Sequence, residues 1–130
     1  MMDIRLFNDM LSIDSTSGME GELADMLSVR LLTSGNTLER FNDNLLFSWG
    51  KPDVLFCTHM DTVPPYIPPT FESDDIVRGR GTCDAKGQIF AMWEACKALE
   101  AKGYEGFGLL LLTGEETGSF GAKSFRDQHP

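Results

Sequence analysis

The chain has 130 residues, 42% hydrophobic and 24% charged, which is enough for one compact domain and too ordinary a composition for a disordered protein. Its formal net charge is −9, with 20 acidic residues against 11 basic ones. This balance disfavours nucleic acid and anionic membranes as partners, because both need clustered lysine and arginine. It suits a protein whose carboxylates converge on a cation, although solubility alone also explains much of the excess.

The cysteines, the N-terminal residues and the apolar runs are typical of a cytoplasmic protein. Cys57, Cys83 and Cys96 are an odd number and form no CxxC pair, which argues against a disulfide framework and a four-cysteine zinc site. The N-terminal residues carry acids early and have no signal-peptide pattern. The longest uninterrupted apolar run, residues 89–93, is far too short to span a bilayer. We therefore expect a cytoplasmic protein.

Two helices are predicted at the start of the chain. Apolar residues at helical spacing predict a short amphipathic helix over residues 2–12. Ser17 and Glu20 stand at the spacing of a capping box, in which two side chains bond the free N–H groups of a helix start. This box would open a second helix that ends near Leu32.

One hairpin and a further turn are predicted from turn signals. Residues 37–41 and 45–49 are strand-like and flank Asn-Asp-Asn at 42–44, a strong turn signal. Residues 71–77 contain a second turn at the paired aspartates 74–75. The loop before residue 71 is stiffened by four prolines, at positions 64, 65, 68 and 69.

A short buried strand is predicted over residues 53–58, and it leads directly into His59 and Asp61. Side chains alternate along a strand, so these two leave the same face, about 6 to 7 Å apart. At the carboxyl end of a buried parallel strand, that face opens into the crevice where α/β sheets bind ligands. We interpret this stretch as half of a metal site.

A long helix and a central strand are predicted in the second half of the chain. From residue 88 onward apolar side chains recur on one helical face, and Lys-Gly at 102–103 closes the helix. Residues 107–112 are almost continuously apolar, as expected of a strand covered on both faces. A last helix is predicted to begin near Ser119.

The order of these elements predicts the fold class. Strand, helix and strand between residues 53 and 112 form a βαβ unit, whose crossover should be right-handed. We predict an α/β fold of three αβα layers around a mixed, mostly parallel sheet, apparently truncated.

Three groups of polar residues follow the predicted strands and loops. His59 and Asp61 follow one strand, Asp84 lies in a glycine-rich loop, and Glu115 and Glu116 follow the next strand. Zinc prefers imidazole and carboxylate ligands, and a carboxylate can bridge two ions.

Asp84 is the best candidate for a bridge and Asp61 for orienting the imidazole. One of the two glutamates would bind metal and the other would act as general base. Each group alone is more often a solvated loop; the combination is specific.

Three motifs resemble a known family. T-H-M-D-T-V at 58–63, G-R-G-T-C-D-A-K-G at 79–87 and T-G-E-E-T-G-S at 113–119 are similar to the N-terminal signatures of the dinuclear zinc amidohydrolases and exopeptidases. That family includes acetylornithine deacetylase, succinyl-diaminopimelate desuccinylase, aminoacylase and carboxypeptidase G. The order and spacing of the motifs match over nearly the whole chain.

The resemblance implies a site with two Zn²⁺ ions, for which Co²⁺ or Mn²⁺ can substitute. It implies one metal ligand in His59, a bridging ligand in Asp84, a ligand of the second metal in Glu116, a general base in Glu115 and an orienting carboxylate in Asp61. It also implies a cis peptide bond after Asp84.

The resemblance implies an enzyme of amino-acid metabolism that hydrolyses an amide bond. We expect a metal-dependent deacylase of an N-acyl amino acid, similar to acetylornithine deacetylase. The alternatives are a di- or tripeptidase, a succinyl-diaminopimelate desuccinylase, or an inactive truncated fragment that only folds and self-associates. The intact protein is expected to be a homodimer that acts on a small molecule or short peptide.

The chain also departs from the family pattern. The family completes its metal site with a further carboxylate and a second histidine, and it carries an inserted dimerisation domain. After Glu116 the sequence has only Asp127 and His129, and we do not expect His129 to be a native ligand. We expect residues 1–130 to be the N-terminal portion of a metallohydrolase catalytic domain, without the dimerisation domain and the C-terminal part, and to be inactive alone.

Three basic residues beside the motifs have open roles. Arg78 and Arg80 could bind a substrate carboxylate, and the favoured alternative is a structural or solvent-facing role. Lys86 is expected to be a staple of its loop, a side chain that holds the loop in place.

Overall fold

Four helices and a four-stranded sheet make up the fold in the computed structural model, which describes residues 3–129. The helices are α1 (Ile4–Leu11), α2 (Gly21–Arg30), α3 (Lys86–Ala101) and α4 (Phe120–Gln128). The strands are β1 (Thr37–Phe41), β2 (Asn44–Trp49), β3 (Val54–His59), β4 (Thr70–Phe71), β5 (Val77–Arg78) and β6 (Phe107–Leu112). Strands β4 and β5 form a separate two-stranded hairpin around the predicted 74–75 turn.

The main sheet has the strand order β1-β2-β6-β3. Strand β6 lies in its interior, antiparallel to β2 and parallel to β3, and its residues from Phe107 to Leu111 are buried. This position explains the continuous apolar run, because side chains on both faces of β6 leave water. The parallel register pairs His59 with Leu112, so the carboxyl ends of β3 and β6 meet at one edge.

Strand β3 was predicted to be buried, and this prediction is wrong for Val54, Leu55 and Cys57, which are exposed. Val54 is 60% exposed and Leu55 is 38% exposed, because β3 is an edge strand of the described sheet and pairs only with β6. Thr58 and His59 at its carboxyl end are buried. An apolar run identifies a strand, but it does not tell an edge strand from a central one.

The hydrophobic core lies on one face of the sheet, beneath the first three helices. Alternate residues of the two central strands, from Leu45 to Trp49 and from Phe107 to Leu111, contact the apolar faces of α1, α2 and α3. Helix α4 lies against the other face, where the rings of Phe125 and Phe41 are 5.8 Å apart. The predicted three-layer α/β class is therefore confirmed. Antiparallel pairings outnumber parallel ones among the described strands, because the β1–β2 hairpin occupies one side of the sheet.

The helix boundaries differ from the prediction at their beginnings. Helix α1 begins at Ile4 after an Asp3 cap, and the predicted start at Met2 lies outside the described residues. Helix α3 begins at Lys86, two residues before the predicted start. In the part of the chain that the structure describes, no helix combines the length and apolar character that crossing a membrane requires.

The capping box predicted for α2 is wrong. The helix begins at Gly21, and no side chain caps its first turn. The Ser17 hydroxyl instead donates to Asp61, and the Glu20 carboxylate accepts the N–H groups of Gly18 and Gly114. Both polar side chains are used by tertiary contacts, which local spacing cannot reveal.

Candidate metal centre

The carboxyl ends of β3 and β6 carry the first and third groups of polar residues. His59 is the last residue of β3, and Asp61 follows it by two positions. Glu115 and Glu116 open a short 3-10 turn, Glu115–Thr117, just after β6. Because β3 and β6 are parallel neighbours, the sheet brings these groups together at one edge.

The imidazole of His59 is fixed between two carboxylates. Its Nδ1 lies 2.9 Å from the carbonyl oxygen and 3.2 Å from the carboxylate Oδ1 of Asp61. Its Nε2 lies 2.9 Å from Oδ1 of Asp84 and 3.6 Å from Oε2 of Glu115. The hydrogen bond to Asp61, which outweighs the effect of burial, raises the pKa of His59 to about 9. With Nδ1–H donated to Asp61, Nε2 is the nitrogen that faces the other site residues.

Asp61 is fully buried and supports the other site residues through hydrogen bonds. Its carboxylate accepts the Ser17 hydroxyl at 2.5 Å and the backbone N–H groups of Glu115 and Glu116, both at 3.0 Å. Burial raises the pKa of this carboxyl, but the bonds from His59, Ser17 and the two amides outweigh burial and hold the pKa well below its ordinary value. Asp61 therefore orients both the imidazole and the turn that carries the glutamates.

Asp84 enters the site on the glycine-rich loop that precedes α3. The Asp84–Ala85 peptide bond is cis, as the family resemblance implies. Two residues further on, Lys86 is fully buried, and its ammonium donates to the carbonyl of Ile13 at 2.6 Å. Burial lowers the pKa of Lys86 to about 8. The contact confirms Lys86 as a staple between this loop and the segment after α1.

Glu115 and Glu116 project from a turn whose backbone requires glycine. Gly114 precedes the turn with a φ of 65°, in the left-handed region that side chains rarely adopt. The side chain of Glu115 is 50% exposed. Desolvation raises the pKa of Glu116, and the neighbouring charges of Asp84 and Glu115 raise it further. The two glutamates and Asp84 thus form a cluster of carboxylates without neutralising lysine or arginine partners among their described contacts.

The ligand atoms of three residues fit a divalent cation. One nitrogen of His59 and one carboxylate oxygen each of Asp84 and Glu116 lie within 4.8 Å of one another. Ligand atoms bonded at about 2.1 Å to one tetrahedral zinc ion lie about 3.4 Å apart, and two ions that share a carboxylate lie about 3.5 to 4 Å apart, so a span of up to 4.8 Å is compatible with ligands of neighbouring ions. The donor set of imidazole and carboxylate is also the set that zinc prefers. A cleft of about 570 Å³ opens beside His59, Asp84 and Glu115.

Several other polar residues lie away from this cluster. Nε2 of His129 lies 2.6 Å from Oε2 of Glu39, a residue of β1 at the opposite edge of the sheet from β3. Asp127 pairs with its neighbour Arg126. Both C-terminal side chains therefore bond partners outside the site.

The two arginines beside the glycine-rich loop make structural contacts. Arg78 pairs with Glu72 across the β4–β5 hairpin, and Arg80 donates to the carbonyl of Pro65 at 3.0 Å. These contacts support the structural alternative over a role in binding a substrate carboxylate.

The sequence did not reveal two residues that support the site. Ser17 bonds Asp61, and Glu20 bonds the amide of Gly114 directly before the glutamate pair. Both partners are more than 40 positions away in the chain. The only local signal was the capping-box spacing, which indicated a different role.

The comparisons with known proteins agree with this geometry. The sequence profile of Peptidase family M20/M25/M40 matches residues 55–129, which contain His59, Asp84 and both glutamates. A probable carboxypeptidase of Aspergillus flavus is 34% identical over 143 residues, covering 92% of this chain and 33% of that protein. A peptidase M20 domain-containing protein of Schizosaccharomyces pombe is 36% identical over 137 residues, covering 93% of this chain and 34% of that protein.

A solved structure shows the same fold. The crystal structure of the aminopeptidase PepT from Bacillus cereus superposes with a TM-score of 0.76 and 26% sequence identity, over 93% of this chain and 38% of that one. The chain thus spans about a third of the length of the curated relatives it matches. The profile covers more than half of the chain and includes the motifs on which the resemblance was based. The chain belongs to Peptidase family M20/M25/M40.

Proposed function

We propose that this chain is the metal-binding N-terminal portion of a catalytic domain that hydrolyses an amide bond to an amino acid. The observation that carries the proposal is the close approach of His59, Asp84 and Glu116, whose ligand atoms lie within 4.8 Å of one another, with the carboxylate of Glu115 beside them. A site of this donor set, at the carboxyl edge of a sheet and open to a cleft, is typical of hydrolytic metal centres.

The residues divide into ligands, a base and a support. In this proposal His59 would hold one metal ion, Glu116 would hold the other, and Asp84 would be the ligand shared by both. When bound, such cations polarise the scissile carbonyl and lower the pKa of an attacking water. Glu115 accepts the proton of that water and returns it to the leaving amine, since its exposed carboxylate reaches the site without being needed as a ligand. Asp61 holds the imidazole of His59 and the backbone of the glutamate turn in place.

The substrate class follows from the bond to be cleaved. An N-acyl amino acid and a peptide cleaved at its last residue present the same chemistry, an acyl group on the amine of an amino acid with a free carboxylate. The relatives' names, carboxypeptidase and aminopeptidase, favour a peptide. The deacylase of an N-acyl amino acid, predicted from the motifs, is the second candidate, because it needs no different group at the metal centre.

The rest of the proposed protein lies outside this chain. The length of the relatives supports further ligands, a dimerisation domain and the C-terminal part of the catalytic domain on additional residues. In this proposal the complete protein binds two Zn²⁺ ions, forms a homodimer and works in the cytoplasm. The three unpaired cysteines, all within the described residues, are consistent with a reducing compartment.

Zinc titration tests the metal centre directly. Calorimetric titration of Zn²⁺ into the chain should show stoichiometric binding, and Glu116→Ala should weaken it about 10-fold or more, because a ligand is removed. The matched control is Glu105→Ala, which removes the same charge from an exposed position just before the other end of β6. Equal zinc binding by the wild type and Glu116→Ala would overturn the proposed metal centre.

A further inference from the structure

Glu20 is a buried carboxylate outside the proposed ligand set. Its side chain is only 5% exposed, and both of its oxygens accept hydrogen bonds. Oε1 accepts the N–H of Gly18 at 2.7 Å, and Oε2 accepts the N–H of Gly114 at 2.8 Å. A carboxylate this deeply buried is costly unless its oxygens are satisfied, so these bonds define where Glu20 can sit.

The Gly114 amide is the first of three consecutive N–H groups held by carboxylates. Gly114 donates to Glu20, while Glu115 and Glu116 donate to the two oxygens of Asp61. The backbone that carries both site glutamates is therefore fixed by two buried acids. Glu20 holds the residue at which the chain leaves β6 and turns toward the site.

Glu20 also belongs to a segment that is bonded to the loop after His59. The Ser15 hydroxyl donates to the carbonyl of Met60 at 2.8 Å. The backbones of Ser15 and Ser17 exchange hydrogen bonds with Thr62, at 3.0 and 3.1 Å. The segment 15–20 thus connects the His59 loop to the Glu115–Glu116 turn.

The position of Glu20 before α2 does not explain these contacts. Glu20 stands at the N-cap of α2, but its side chain makes no capping bond to the helix. The carboxylate turns away from the N–H groups of the first helical turn and reaches Gly114, 94 positions along the chain. Helix capping therefore leaves the long-range bond unexplained.

We propose that Glu20 is a positioning residue, which sets the distance between the glutamate turn and His59 by holding Gly114. This inference rests on the proposed function, since it assigns a role at the same metal centre. It differs from the role of Asp61, because Glu20 touches neither the imidazole nor the amides of the glutamates themselves. Its effect on metal binding passes through backbone N–H groups, that of Gly114 before the glutamate turn and that of Gly18 in the segment bonded to the His59 loop.

The test replaces Glu20 by glutamine in the chain. Glu20→Gln keeps the size of the side chain but exchanges one acceptor oxygen for an NH₂ group, so the bond to Gly18 or to Gly114 is lost. The matched control, Glu22→Gln, makes the same charge change at an exposed position two residues on, in the first turn of α2. We expect Zn²⁺ affinity, measured by competition with a chromophoric chelator, to fall about 10-fold in Glu20→Gln and to stay within about twofold in Glu22→Gln.

Amide hydrogen exchange provides a readout that does not depend on metal. In the metal-free wild type, the Gly114 amide should be protected, and in Glu20→Gln the amides of Gly114, Glu115 and Glu116 should all exchange faster. A wild-type Gly114 amide that exchanges as fast as those of the exposed 73–75 turn would overturn the inference. So would unchanged Zn²⁺ affinity in a folded Glu20→Gln variant whose Gly114 amide has lost protection, since the residue would then be merely structural.

Two further results separate the outcomes. If Glu20→Gln does not fold, Glu20→Asp is measured instead. This variant keeps the charge, but its side chain is one methylene too short to bond both amides, so we expect the same loss of Zn²⁺ affinity. Wild-type affinity in Glu20→Asp would overturn the inference. If the wild-type chain binds no Zn²⁺, the proposed function fails. The part of the inference that needs no metal, that Glu20 holds the glutamate turn, is then decided by exchange: faster exchange at Glu115 and Glu116 in the variant supports it, and unchanged exchange overturns it.

Discussion

The carboxylates on the two sides of the site differ in burial: Asp61, at the back, is enclosed by protein, whereas Asp84 and Glu115, at the front, face the cleft. At the back, Asp61 is fully buried and accepts bonds from Ser17, His59 and two backbone amides. At the front, the side chain of Asp84 is 61% exposed and that of Glu115 is 50% exposed. The same type of group, a carboxylate, is satisfied by the protein in one place and faces the cleft in the other.

This difference teaches which part of the site the fold itself stabilises. The hydrogen bonds at the back hold the pKa of Asp61 well below its ordinary value despite burial, so the folded protein favours its charge. At the front, desolvation and the charges of Asp84 and Glu115 raise the pKa of Glu116, so the folded protein disfavours a further negative charge there. The back fixes geometry, and the front is arranged for a positive partner.

The largest expected effect is at the front and concerns turnover alone. In a protein that also carries the rest of the catalytic domain, Glu115→Ala should retain its metals but lose about 100-fold to 10,000-fold in rate, because the proton acceptor is removed. Hydrolysis of a dipeptide and of an N-acetyl amino acid, measured side by side, would also separate the two substrate candidates. Turnover at the wild-type rate would remove Glu115 as the base.

The next effect is at the back and concerns stability. Asp61→Ala should lower the free energy of unfolding by about 3 kcal/mol, because it leaves buried donors without acceptors. Urea denaturation of the metal-free chain measures this loss, so the result does not depend on bound zinc. A loss below about 1 kcal/mol would contradict the view that the back of the site is held by this carboxylate.

The smallest expected effect sharpens the contrast. Asp84→Asn should change the free energy of unfolding of the metal-free chain by no more than about 0.5 kcal/mol, since the side chain is exposed. The same variant should bind Zn²⁺ more weakly than the wild type in a calorimetric titration. If Asp84→Asn destabilised the chain as much as Asp61→Ala, the division into a structural back and a ligand-binding front would fail.

The local elements of the fold were predictable because short-range patterns specify them. The hairpin around residues 42–44 and the buried strand at 107–112 were confirmed, since turn residues and a continuous apolar run act within a few positions. The edge position of β3 was not predictable. Which strands flank it depends on the whole sheet, and the apolar run of β3 is similar to that of an interior strand.

The residues of the site were predicted as a group from the sequence, and the structure brings three of them together. His59, Asp84 and Glu116 do converge, because the ends of two parallel strands and one glycine-rich loop meet at one edge. Their chemical roles remain proposals. The supporting roles of Ser17 and Glu20 were not predicted. Their spacing is typical of a local helix cap, but they form hydrogen bonds with Asp61 and Gly114, which are distant in the chain.

The sequence by itself determined the strands, the long helix and the types of polar residue that follow them. Those features depend on periodicity, turn chemistry and motif spacing, all of which are local. Only the tertiary structure decided that Asp61 is enclosed while Asp84 is open, and that Glu20 reaches Gly114 instead of its own helix. The physical reason is that burial and long-range hydrogen bonds are properties of packed surfaces, and residues adjacent in space at this site are distant in the chain.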